Sequence, residues 1–212
     1  MTAQIPDKYK YMRKNYSIVA MSDPIGFDPA DYGLEPHMSS TACWRGYWCE
    51  YHIKNGKLIL EKLLMYNSDN NYPDLDGIQV SPQKYKKSRC ISSDDTDNKV
   101  RTEMIPVNFG HRTYLVNMEM NYTGKIVLGA EFMKKYYVHM GFQYPWAYKE
   151  LKEFDFEDGA LVKIIDHSDV AEMIRKKVDE DPDVFKEMMD DLDPDFISRS
   201  FSLDTDIKAW WL

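Results

Sequence analysis

The stretch Cys43-Trp-Arg-Gly-Tyr-Trp-Cys-Glu-Tyr-His-Ile53, then Lys54, Asn55-Gly56 and Lys57-Leu-Ile-Leu-Glu-Lys-Leu-Leu-Met-Tyr66, decides the fold class. Two runs rich in aromatic and aliphatic residues flank Asn-Gly, the pair best suited to the two left-handed positions of a type I′ hairpin turn. With that turn Ile53 faces Leu58, Tyr51 faces Leu60 and Tyr47 faces Leu64, so one side of the ribbon is mostly apolar. The same register sets Glu50 opposite Glu61 on the other side. Like charges directly across a ladder are destabilising. The pairing therefore needs nearby lysines, a bulge that shifts the register, or a shared proton.

Working outward, residues 148–157, Asp158-Gly159 and residues 160–165 read as a second hairpin, and Phe156-Glu-Asp-Gly-Ala-Leu161 echoes Ile53-Lys-Asn-Gly-Lys-Leu58. Strands are expected at 102–108, 113–121 and 125–128, with short ones at 16–21 and 77–80. A short helix is expected over 131–140, stopped by Gly141. Residues 1–42, with Pro6, Pro24, Pro29 and Pro36, read as an irregular or extended arm, and 67–100 as a long polar loop.

After Asp166 the apolar period changes from 2 to 3.6. Ser168 suits a helix cap, with Val170, Met173, Ile174 and Val178 on one face. Asp181-Pro182-Asp183 and Asp193-Pro194-Asp195 each look like a further helix start, with Pro at the first helical position and an acid at the positive dipole end. Val184, Phe185, Met188, Met189 and Leu192 form the stripe between them, and Lys208-Ala-Trp210-Trp211-Leu212 closes the chain. The expected fold is α+β: a mainly antiparallel sheet built from hairpins over 1–166, and an acidic helical segment, 167–212, packed on the same domain.

The 212 residues carry a net charge of −8. Residues 167–212 hold 13 acids against 6 bases, so they carry nearly all of the excess. Such a surface repels phosphate backbones, which argues against nucleic acid and for a basic protein partner. No apolar stretch reaches the length of a bilayer span. An odd count of three cysteines fits a reducing compartment, hence the cytoplasm. Cys43, Cys49, His52 and Cys90 lack metal-ligand spacing, so no metal is expected. No Gly-rich phosphate loop, nucleophile elbow or paired metal-helix histidines are present, and no cofactor or catalytic residue is assigned.

The Ser39–Trp48 segment is the most unusual in the chain. On a strand Trp44, Gly46 and Trp48 would share one face and Arg45 and Tyr47 the other. An Arg among aromatics suits ring stacking or a carboxylate grip. Trp44, Arg45, Tyr47, Trp48, Glu50, His52 and Glu61 are the candidate ligand- or partner-binding residues. Ser40-Thr-Ala-Cys-Trp-Arg-Gly-Tyr47, the Ile53–Leu58 turn, Thr123-Gly-Lys-Ile126, Tyr137-Val-His-Met-Gly-Phe142 and the Phe156–Leu161 turn together resemble an uncharacterised family of small bacterial proteins. That resemblance implies a cytosolic single-domain protein and supplies no activity. The composition points away from an enzyme and towards a protein-interaction module of the bacterial immunity or accessory kind. The competing expectation is a small-ligand binder or an enzyme of unlisted type, with a pocket near the 43–66 hairpin. Self-association through the terminal tryptophans is a third reading.

Overall fold

Three two-residue turns organise the chain. The computed structural model describes residues 2–82, 85–87, 105–107, 111–181 and 196–209. The strands are β1 (Lys8–Tyr11), β2 (Lys14–Met21), β3 (Tyr47–Lys54), β4 (Lys57–Tyr66), β5 (Ser81–Pro82) and β6 (Tyr85–Lys87). They continue as β7 (Ile105–Val107), β8 (His111–Glu119), β9 (Gly124–Phe132), β10 (Tyr148–Glu157) and β11 (Ala160–Asp166). Helices are α1 (Ser168–Glu180), α2 (Phe196–Phe201) and α3 (Thr205–Lys208). No helix among the described residues is long and apolar enough to cross a membrane.

Nine strands form one sheet in the order β11-β10-β9-β2-β1-β3-β4-β8-β5, while β6 and β7 pair separately. Every pairing in the large sheet is antiparallel except β1 with β3. The sheet curls until its two Gly-containing hairpin tips meet. Ala160 pairs with Lys57. Leu161 N–H donates to Gly56 O at 2.9 Å, and Leu58 N–H to Gly159 O at 2.8 Å. Inside the curl lies the main core, where Tyr9, Leu58, Leu60, Leu63, Met65, Tyr114, Phe154 and Phe156 are fully buried. Outside β9 and β10 a second cluster forms around Trp146, Leu151 and Val127, covered by Ala171 and Val178 of α1. Each such side chain contributes about 1.5–3 kcal/mol by leaving water.

The turns explain why the hairpins form. Asn55 and Gly56 have φ of 53° and 76°, and Asp158 and Gly159 have 47° and 75°, as a type I′ turn requires. The third turn was not legible. Met12 and Arg13 join β1 to β2 at φ of 46° and 66°, a backbone that costs non-glycine residues roughly 1–2 kcal/mol each. The expected strand at 16–21 is present within β2, whereas residues 8–11, read as part of an arm, form a strand as well. β1 and β2 lie in the middle of the sheet, with Tyr9 of the alternating Lys-Tyr-Lys-Tyr strand and its partner Tyr16 of β2 both in the main core.

Other expectations shift. The 43–66 hairpin is present, but β3 begins only at Tyr47. Cys43–Gly46 is a turn, so Trp44 and Trp48 do not share a strand face. Gly46, at φ 76°, sits against the His37 backbone, where a Cβ would lie 2.3 Å from His37 O. Instead of a helix over 131–140, β9 runs on to Phe132, with Glu131 at φ 57°, and a single 3-10 turn follows at Lys134–Tyr136. The 77–80 segment makes only a bridge between Leu75 and Ile78. In α1 the buried face is Ala171, Arg175 and Val178, while Met173 is exposed. The face is turned because Arg175 donates to Trp146 O and Tyr148 O, at 2.8 and 2.5 Å. Ser168 is the first residue of α1 rather than its cap, and its hydroxyl accepts from Leu151 N–H. The stripe at 184–192, most of the expected strand at 102–108, Cys90 and the terminal Trp210-Trp211-Leu212 lie outside the described residues.

Candidate functional sites around the β3–β4 hairpin

The seven candidate residues separate into three places. Arg45, Tyr47 and Trp44 gather at the base of the hairpin. Glu50, His52 and Glu61 stand on the outer face of β3 and β4. Trp48 packs alone against His111, with ring centroids 5.2 Å apart.

At the base, Arg45 is held by Asp7, a buried carboxylate from the segment before β1. Nη1 and Nη2 donate to the two carboxylate oxygens at 3.2 and 2.5 Å. Asp7 Oδ1 also accepts from Cys49 N–H at 2.6 Å, and Arg45 Nε donates to Tyr47 O at 2.8 Å. The guanidinium lies over the Tyr47 ring, 4.8 Å from its centre. Burial opposes the charge of Arg45, but the facing Asp7 carboxylate outweighs it and the pKa is raised. Burial pushes the Tyr47 phenol up to about 12. It also raises the Cys49 thiol and Tyr51 phenol well above their ordinary values. None of these supplies a nucleophile near neutral pH.

Arg45 is therefore an architectural anchor, its hydrogen-bonding capacity directed at the protein itself. Cavities of about 360 and 370 Å³ flank it. The first runs between Cys43, Trp44, Phe142 and Phe201, where Trp44 stacks on Phe201 of α2 at 4.7 Å. The second opens between Arg45, Tyr47, Tyr51, Asp28 and Asp31.

On the outer face the predicted clash of Glu50 with Glu61 is avoided by a bulge. The register shifts between Leu60 and Lys62, so Tyr51 still pairs with Leu60 but Glu50 pairs with Lys62. Tyr47 then faces Met65 rather than Leu64. Lys62 Nζ donates to Glu50 at 2.8 Å, and Lys10 Nζ grips both oxygens of Glu61 at 2.8 and 3.1 Å. His52 Nδ1 lies 3.5 Å from Glu61. Burial pushes the Glu61 carboxyl up, but Lys10 and Lys62 outweigh it and the net shift is downward. This network borders a cleft of about 500 Å³ reaching from Lys8, Lys10 and Lys62 across Ser17 and Gly129 to Phe132 and Tyr148.

Sequence reasoning missed Asp7, Lys8, Lys10 and Lys62. The period-2 alternation Asp7-Lys-Tyr-Lys-Tyr11 was the signal that could have found the first three. Among the described residues no cluster of histidine, cysteine and carboxylate side chains has the arrangement of a metal site. Comparison of the chain with protein-family models, with curated proteins and with solved structures gives no match.

Proposed function

We propose that the protein is a non-enzymatic protein-interaction module of the bacterial cytoplasm, of the immunity or accessory kind, in which an extended segment of a partner adds to the free edge of β11. One observation carries this reading. β11 bonds to β10 along one edge, whereas its other edge meets β4 only at Ala160. Beyond Leu161 no further ladder partner is present among the described residues. There the strand exposes Val162 by 50% and Ile164 by 39%. Unpaired backbone beside exposed apolar side chains is the usual ground for strand addition. Lys163 lies between them. Two copies of β11 paired with these lysines opposed would repel, which favours a different chain over a second copy.

The acidic helical C-terminal segment and the resemblance of Ser40–Tyr47 to a bacterial family belong to the same proposal. In α1, Glu172 pairs with Lys176 and Asp179 with Lys135. Further along the sequence, six acids from Asp183 to Asp195 have Lys186 as their one base, a charge that a basic partner would complement. A photoreactive residue placed at position 162 of the full chain in cells tests the reading. It predicts a discrete adduct with another protein that Ile164→Lys abolishes. Absence of any such adduct, or an adduct indifferent to Ile164→Lys, overturns it. An adduct only between two copies replaces the partner with self-association.

A second reading, a small-ligand-binding protein, is supported by the cleft beside the hairpin. Its volume of about 500 Å³ falls within the range of small-molecule sites, roughly 300–1,000 Å³.

A further inference from the structure

We infer that the cleft outside β1, β2 and β9 binds a small organic monocarboxylate, with its acid group on Lys8 and its flat apolar body against Phe132 and Tyr148. This deepens the ligand-binding reading and rests on it.

Charge pairing comes first. Around the cleft stand Lys8, Lys10, Lys14, Lys62 and Lys149 with Glu50, Glu61, Glu131 and Glu150. Lys10 and Lys62 are taken up by Glu50 and Glu61. Lys14 and Lys149 are taken up by Glu131 and Glu150. Asp7, next to Lys8 in sequence, turns the other way to hold Arg45. Among the described residues no carboxylate lies within ion-pair distance of Lys8, whose Nζ donates to Ser17 Oγ at 3.0 Å. The group thus carries one uncompensated positive charge, half-buried and facing the cleft. Burial lowers the Lys8 pKa, and Asp7 and Glu50 offset this only in part. An anion delivered to Lys8 would relieve that penalty.

Shape supplies the second half. Tyr148 lies across Gly129, where a Cβ would come within 2.6 Å of the ring. Only the missing side chain lets the ring lie flat there. Phe132 packs against Tyr148, with centroids 5.2 Å apart, so one end of the cleft is aromatic. A single excess charge beside an aromatic wall matches one carboxylate on a flat body. A phosphate dianion would need a second free cation.

The experiment follows amide shifts of the full-length protein during titration with benzoate, benzyl alcohol or inorganic phosphate. Benzoate should shift Lys8, Ser17 and Gly129, with the Lys8 side-chain pKa rising as it binds. Lys8→Met should weaken benzoate by about 10-fold or more, the value of one charge-assisted hydrogen bond. Lys8→Arg should keep most of the affinity. Lys8→Met strands no acid, so the variant should keep a native spectrum. Benzyl alcohol bound as tightly as benzoate would overturn the carboxylate while leaving a ligand site in place. Phosphate bound as tightly would overturn the monoanion. Failure of all three probes to shift these amides would remove both the inference and the reading beneath it, whereas equal benzoate binding by Lys8→Met, with no rise in the Lys8 pKa of the unaltered chain, would remove the inference alone.

Discussion

The two Gly-containing hairpins share turn chemistry and touch at their tips, yet one is sealed and the other open. In the β3–β4 hairpin both strands have a partner on each side, β1 beyond β3 and β8 beyond β4. In the β10–β11 hairpin the inner strand is covered on its outer face by α1, and the outer strand, beyond its pairing at Ala160, is an edge among the described residues. Identical local signals thus produce different surfaces. What differs is the neighbour, which the turn does not specify. The sealed hairpin builds charge pairs and a cleft on its outer face; the open one leaves the backbone beyond Leu161 without a ladder partner among the described residues.

Removing Asp7 should break the sealed hairpin most severely. Asp7→Ala leaves Arg45 largely buried without its counter-charge and Cys49 N–H without its acceptor, so a loss of about 3 kcal/mol is expected in urea unfolding. An unchanged midpoint would mean that the pair anchors nothing. Next come the two turns. Gly56→Ala and Gly159→Ala impose the same left-handed strain, about 1 kcal/mol. Only at Gly159 would the new Cβ also meet a neighbour, Met120 O at 2.3 Å. The second substitution should therefore cost at least ~1 kcal/mol more. Equal costs would refute the tight seat of the open hairpin on the 120–123 connection.

Legibility in the sequence followed the same division. Asn55-Gly56 and Asp158-Gly159 announce their turns, and the apolar runs around them announce the strands. Met12-Arg13 announces nothing, because neither residue favours the left-handed backbone it adopts. The hairpin carrying Asp7 and Lys8 therefore passed for an arm, although its alternation was visible. The bulge at Glu61 was among the solutions foreseen, but only the coordinates choose between it and a shared proton. Arg45 was recognised as unusual, and its partner was not, since 38 residues separate it from Asp7. The Met12 turn is itself a handle: Met12→Asn with Arg13→Gly should raise stability by roughly 1–2 kcal/mol. Met12 is 80% exposed, so no packing is lost.

Smaller effects separate the hairpins by charge. Lys62→Glu would restore like charges across from Glu50 and should cost about 0.5–1 kcal/mol, less at high salt. In acid the two hairpins should part company. The Asp166 carboxyl is opposed by burial but held down by Lys152 and Ser168, reaching about 2. Its folded pKa lies below the unfolded value, so its contribution is present above about pH 4 and fades as pH falls through 2. Glu61 is also lowered, and its contribution fades as pH drops below the ordinary glutamate range. Carboxyl carbon shifts followed against pH would read both; an ordinary midpoint for Asp166 would deny its pairing. Smallest of all, Val162→Thr on the open edge should change stability by less than about 0.5 kcal/mol.

Hydrogen exchange along β11 in the purified protein tests the open edge most directly. The account predicts that amides of 162–166 directed at β10 are protected, while those on the opposite edge exchange nearly as fast as in an unfolded chain. In β4 both sets should be protected. Uniform protection along β11 would mean that its edge is already occupied, and would contradict the account.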